Sequence, residues 1–154
     1  QLDMLMPERF DMTYIGEDGQ KHRPVMVHRT VFGSVERFLG ILIENYNGAF
    51  PVWLAPVQVK FLPISDKHLA YAKELRKKFK KMGIRVEVDE SNEKIGYKIR
   101  KAQMEKVPYM AVIGDKEMES NTLSIRDRSK GDIGAQPVDD FIAHVRELTE
   151  TRKG

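Results

Sequence analysis

Residues 57–88 read VQVKFLPISDKHLAYAKELRKKFKKMGIRVEV, and this stretch decides the fold. Its first eight positions are rich in β-branched and apolar residues, as in a strand buried within a parallel sheet. Ser65 or Asp66 then stands where a helix cap belongs. Leu69, Ala72, Leu75, Phe79 and Met82 follow at the three- and four-residue spacing of a core-facing helix stripe. Gly83 closes that helix, and residues 84–88 read as a second strand. A strand, a helix and another strand in succession imply a right-handed crossover between parallel strands.

Working outward, a helix is predicted over residues 94–106, stopped by Pro108, with strands over 109–113 and 122–126 around a turn at 114–121. A last helix over 137–151 places Val138, Phe141, Ile142, Val145 and Leu148 on one face. The expected fold class is α/β: a mixed, partly parallel sheet flanked by three helices. Upstream, residues 47–56 contain Gly48, Pro51 and Pro56 and read as a linker. Before it, residues 11–15 and 24–29 are strand-like around the turn Gly16-Glu17-Asp18-Gly19. A helix over 34–46 carries the stripe Val35, Phe38, Leu39, Leu42, Ile43 and Tyr46. The expected division is therefore residues 1–50 and residues 51–154.

Composition narrows the function classes. Hydrophobic residues make up 41% and charged residues 32% of the 154, the balance of a globular domain. No apolar run approaches the roughly 20 residues of a membrane helix, and no basic-then-apolar leader is present. The expected location is cytoplasmic, with no membrane partner. The absence of cysteine excludes disulfides, thiolate metal sites and cysteine nucleophiles. A first residue other than Met suggests a piece of a longer chain. The net charge of +3 hides an asymmetry: residues 57–106 carry 14 Lys/Arg against 7 Asp/Glu, while both flanks are slightly acidic. A basic block of this kind suits a polyanion and equally suits solvated helix faces.

Three groups of residues can carry chemistry. In the first, Arg37 lies in the first turn of a helix behind the Gly33-Ser34 turn. A permanently charged guanidinium there can hold a triphosphate or pair with Glu36 or Glu44. In the second, Lys94, Lys98 and Lys101 recur at i, i+4 and i+7, giving one cationic face, with Ile95, Ile99 and Ala102 directed to the core. That face can meet RNA phosphates or simply water. Gly96 inside this helix costs about 1 kcal/mol relative to alanine, which implies the close approach of a ligand or of a neighbouring strand. In the third, Glu117 and Arg126 flank the turn between two strands. Glutamate accepts from base N–H groups and arginine binds the guanine edge, or the two form a cross-strand ion pair. His68 and His144 belong to no constellation and are assigned to helix surfaces.

The segment His28-Arg29-Thr30-Val31-Phe32-Gly33-Ser34-Val35-Glu36-Arg37-Phe38 resembles motif 3 of class II aminoacyl-tRNA synthetases, in the form seen in threonyl-tRNA synthetases. The match continues through Gln1-Leu2-Asp3, Tyr14-Ile15-Gly16-Glu17-Asp18 and Pro24-Val25-Met26-Val27-His28-Arg29. It resumes at Val52-Trp53-Leu54-Ala55-Pro56, Asn92-Glu93-Lys94-Ile95-Gly96-Tyr97-Lys98-Ile99-Arg100, Val107-Pro108-Tyr109-Met110 and Gly114-Asp115-Lys116-Glu117, blocks similar to that family's anticodon-binding domain. The resemblance implies that residues 1–50 end a class II catalytic domain and residues 51–154 form the anticodon-binding domain. It also implies a longer homodimeric ligase that activates threonine with ATP and transfers it to threonine tRNA. Arg37 would contact ATP, Ser34 and Gln1 would line the aminoacyl pocket, and His28 would be one of three ligands of a zinc ion. Asn92, Glu117 and Arg126 would read anticodon bases, while Lys94, Lys98, Arg100, Lys101 and Arg128 would hold the RNA backbone. Motifs 1 and 2 and the other zinc ligands are not in this sequence. The chain by itself is therefore expected to bind RNA without catalysis, ATP or zinc. The alternative partners are those of prolyl, glycyl or histidyl relatives, or of a non-catalytic accessory protein of the same fold.

Overall fold

Only short elements form before residue 35. In the computed structural model, which describes residues 1–153, the chain divides into the units Gln1–Ile41 and Leu42–Gly154. The first holds β1 (Leu2–Asp3), α1 (Leu5–Arg9), β2 (Tyr14–Ile15), β3 (Lys21–His22) and β4 (Met26–Val27). The Gly16–Gly19 turn forms as expected, but it closes β2 onto β3. The segment around 26–27 pairs instead with β1. The expected hairpin of residues 11–15 with 24–29 is thus replaced by two smaller pairings, because so tight a turn returns the chain within a few residues. Helix α2 (Val35–Tyr46) begins and ends where its periodicity placed it, yet none of its residues is buried. Val35, Leu39 and Ile43 are each at least half exposed, so the apolar stripe has no core against it among the described residues.

The second unit contains β5 (Val59–Pro63), α3 (Leu69–Lys81) after a 3-10 turn at Asp66–His68, β6 (Val86–Val88), α4 (Ile95–Met104), β7 (Tyr109–Ile113), α5 (Asp115–Ser120), β8 (Thr122–Asp127), β9 (Gly131–Pro137) and α6 (Val138–Thr151). The sheet runs β6-β5-β7-β8-β9, with β6 and β7 parallel to β5 and the last two pairings antiparallel. This is the expected mixed, partly parallel sheet. Two features depart from the sequence reading. Residues 115–120 are a short helix rather than a turn, because Glu117 reaches back to the Gly114 N–H (2.9 Å) and caps it. Strand β9 carries no apolar alternation: Gly131 and Gly134 have positive φ and the ladder is bulged at Ile125/Arg126. It pairs because it is an edge, where one ladder of hydrogen bonds suffices.

Alternation along the strands gives the sheet two faces. Val59, Phe61, Ala111, Ile113, Leu123 and Ile125 point to the main core with Ala72, Leu75 and Phe79 of α3 and Phe141, Ile142 and Val145 of α6. Phe79 meets Phe61 edge-on at 5.1 Å, and Phe141 meets Tyr109 at 5.4 Å. On the opposite face, Leu62 and Met110 pack beneath Ile95, Ile99 and Ala102 of α4. Helix α4 covers β5 and β7 on this face. The outer positions of β8 remain half exposed beside it.

Candidate nucleic-acid interface

Of the three base-reading candidates, Arg126 lies on the face of the sheet beside α4, Glu117 lies on α5 and Asn92 on the loop between β6 and α4. Arg126 stands directly opposite Met110 in the β7–β8 ladder and so shares the face that α4 occupies. Its Nη1 lies 3.3 Å from Asp132 Oδ2 on β9, while its Nε is buried without a partner among the described residues. That buried Nε is out of reach of a ligand; the capacity for a further acceptor lies at Nη2, which has no hydrogen-bond partner among the described residues. Glu117 does not pair with Arg126. Its Oε2 serves the cap of α5, and Arg126 lies four residues along β8 from Thr122, about 13 Å at the strand rise. Gly114 is fixed by space: a Cβ there would stand 2.8 Å from Ile64 and 3.0 Å from Glu117.

Asn92 is exposed on the loop leaving β6. That loop is organised by Asp89, whose Oδ1 accepts from the Ser91 N–H at 2.9 Å and from the Ser91 hydroxyl. Burial would raise the Asp89 pKa, but the Ser91 bonds and the cations Lys98 and Lys101 outweigh it and hold the carboxyl below its usual range. Lys94, at the N-cap of α4, and Arg100 and Lys101 within it are exposed, and none takes part in an ion pair among the described residues.

Three expectations need correction. Lys98 does not belong to a cationic face. It is 3% exposed, and its ammonium donates to the carbonyls of Pro63 (3.0 Å) and Asp89 (3.5 Å) at the ends of β5 and β6. The stripe that starts at Ile95 includes position 98 along with 99 and 102, so the helix turns this lysine inward. Arg128 is half-exposed and is engaged within the chain rather than free. Its guanidinium donates to the carbonyls of Ala49 (3.1 Å), Phe50 (3.1 Å) and Lys106 (2.7 Å), and so fastens the lead-in segment to the sheet. His68, expected at a surface, is 2% exposed. It bridges Ser65 and Asp115 at the ends of β5 and β7. His144 is exposed, with the Tyr109 hydroxyl 3.1 Å from its Nε2.

Sequence reasoning also passed over Tyr97, which is 57% exposed on α4. Its spacing from Lys94 and Lys101, i+3 and then i+4, puts all three on one helix face. That periodicity was the available signal.

In the first unit, Gln1 and His28 meet where the His28 N–H donates to the Gln1 carbonyl at 2.9 Å. The His28 ring lies 3.1 Å from Asp3. The hydrogen bond from the Met6 N–H, together with those from His28 and the Leu5 N–H, outweighs burial and lowers the Asp3 pKa. Ser34 Oγ donates to Glu36 at 2.7 Å and accepts from the Arg37 N–H at 3.4 Å. The Arg37 side chain is exposed and pairs with neither Glu36 nor Glu44. Among the described residues no three His, Cys, Asp or Glu side chains gather in a way that could hold a metal. A tetrahedral zinc needs three protein ligands, so the donors of this chain do not by themselves fit one. No helix is long and apolar enough to cross a membrane.

An α/β sheet with one open flank, unpaired cations and an under-partnered arginine is the equipment of a domain that reads a polyanion with exposed bases. The chain belongs to the family described as "Anticodon binding domain", whose model matches residues 58–148. Residues 1–46 match the class II tRNA synthetase core domain of the G, H, P, S and T enzymes. Among curated proteins, the chain is 63% identical over 147 residues to a threonine–tRNA ligase of Desulforamulus reducens. It is 60% identical over 153 residues to one from Clostridioides difficile. These alignments cover 96% and 99% of this chain but 23% and 24% of the relatives, so the chain spans about a quarter of their length. A solved structure, the RNA binding domain of threonyl-tRNA synthetase from Cryptosporidium parvum, superposes with a TM-score of 0.70 at 34% identity. That superposition covers 96% of this chain and 38% of the other.

Proposed function

We propose that this chain is the anticodon-reading part of a threonine–tRNA ligase, together with the motif 3 end of its catalytic domain. The observation that carries the reading is the Arg126 guanidinium, half-exposed on the face beside α4, with Asp132 as its one hydrogen-bond partner among the described residues. A planar fork with donors to spare suits the O6/N7 edge of guanine. Asn92 and Glu117 complete the base readers, and Lys94, Arg100 and Lys101 follow the phosphates. Lys98 and Arg128 serve the site by position: one ties the ends of β5 and β6, the other anchors the segment around residues 49–50. The level of identity to threonine–tRNA ligases supports threonine tRNA as the partner.

In the longer enzyme, Arg37 would contact ATP, and Ser34 and Gln1 would line the threonine pocket. His28 would join zinc ligands supplied from outside this chain, with the ligase acting as a cytoplasmic homodimer. Activation of threonine would be an activity of the longer protein. The test is equilibrium titration of the chain with RNA stem-loops. A threonine anticodon loop is expected to bind about five- to a hundredfold more tightly than one with a changed middle base, the scale of one bidentate arginine–guanine pair. Equal affinity for the two loops would refute the reading.

A further inference from the structure

We infer that Tyr97 is a stacking platform for an unpaired RNA base, fenced by Lys94 and Lys101 and by Arg100. The inference deepens the anticodon-reading assignment and rests on it. Within Leu42–Gly154, Tyr97 is the one exposed Phe, Tyr or Trp ring among the described residues; the others are buried or half-buried. It forms no aromatic pair, and its hydroxyl has no hydrogen-bond partner among those residues. A ring held at 57% exposure on a rigid helix contributes nothing to the core, which Ile95, Ile99 and Ala102 already supply on the opposite side.

The charges around the ring point to the occupant. Lys94 precedes it by one helical turn, and Arg100 and Lys101 follow it by one. None of the three forms an ion pair among the described residues, and only Lys101 feels a nearby carboxylate, that of Asp89. An apolar partner protein would leave those cations desolvated and unmatched. A single-stranded nucleic acid meets both needs at once, since its bases offer π-faces and its backbone offers anions. Gly96 is a second, independent observation. It sits inside α4 with nothing within 4 Å of where a Cβ would stand. No neighbouring strand therefore explains a glycine there, and the surface beside the ring is kept low enough for a backbone to approach closely.

The experiment titrates the chain and its variants with the threonine anticodon stem-loop and with loops made abasic at each position in turn. Tyr97→Ala is expected to weaken binding to the intact loop by about ten- to a hundredfold, while Tyr97→Phe binds like the unaltered chain. At one loop position, removal of the base should make Tyr97→Ala and the unaltered chain equal, and the salt dependence should be unchanged. Thermal melting should not move, because the ring is not part of the core. If Tyr97→Ala weakened the intact and every abasic loop alike, or bound the intact loop as tightly as before, the platform would be refuted. In that case the anticodon reading would stand provided that the unaltered chain still preferred the threonine loop. Absence of any such preference would remove both.

Discussion

Replacing Lys98 with methionine separates a structural lysine from an RNA-binding one. Methionine keeps the length of the side chain and opens little cavity, so the change removes chiefly the ammonium. That group donates to Pro63 O at 3.0 Å and to Asp89 O at 3.5 Å while 3% exposed. A hydrogen bond from a charged donor contributes about 1.5–3 kcal/mol, and carbonyls left unmatched add to the loss. The buried Asp89 carboxylate also loses a favourable neighbour, whereas relief of the ammonium's own desolvation works the other way. The expected net loss for Lys98→Met is about 2–4 kcal/mol. Lys98→Ala should lose roughly 2 kcal/mol more, from three buried methylenes at about 0.8 kcal/mol each. Guanidinium unfolding followed by Trp53, the single tryptophan, measures this within the second unit. Folded Lys98→Met should retain the full salt dependence of RNA binding, while Lys101→Ala should reduce the slope by about 0.7, one phosphate contact on a single strand. A Lys98→Met chain of unchanged stability with a slope reduced like that of Lys101→Ala would refute the placement.

Three further outcomes are expected. Gly96→Ala should raise stability by about 0.5–1 kcal/mol in the same unfolding assay, since the position is helical and open; a loss would mean hidden packing there. Asp89 and Asp127 both have folded pKa values below the ordinary carboxylate value, held down against burial by Ser91 and by Ser129 and Lys130 respectively. Their stabilisation is therefore present above about pH 4, the unfolded pKa. It is lost as pH falls through the folded values, and Asp89→Asn should flatten that decline measured by unfolding at stepped acid pH. The exposed stripe Val35, Leu39 and Ile43 on α2 should make the chain self-associate. Sedimentation should show Leu39→Glu shifting it toward monomer, and a chain monomeric before the change would contradict this.

Much of the sheet and its helices could be read from periodicity alone. The run from Val57, the Leu69–Phe79 stripe and the Val138–Val145 stripe each bury where the pattern directs, because one face of each element has a core to meet. The failures have physical causes. Strand β9 is glycine-rich and held by ladder hydrogen bonds at an edge, so hydrophobic alternation could not mark it. Residues 115–120 fold as a helix because one glutamate caps them, a local bond with no periodic signature. At α4 the charge of Lys98 masked a correct geometric signal: spacing from Ile95 already places position 98 inward. Arg128 and His68 were illegible for another reason. Their partners, the carbonyls at 49–50 and 106 and the carboxylate of Asp115, come together only through the tertiary fold. The reverse holds for Tyr97, whose spacing from Lys94 and Lys101 was visible but whose exposure was not.

The central claim is that Arg126 reads a base. It is tested most directly by titrating Arg126→Ala against two stem-loops, one carrying the threonine anticodon and one with its middle base changed. Loss of a bidentate pair removes about 1–3 kcal/mol of discrimination. The variant should therefore bind the threonine loop about five- to a hundredfold more weakly and bind both loops nearly alike. Arg126→Ala retaining the full preference of the unaltered chain would contradict the account, whatever the fold.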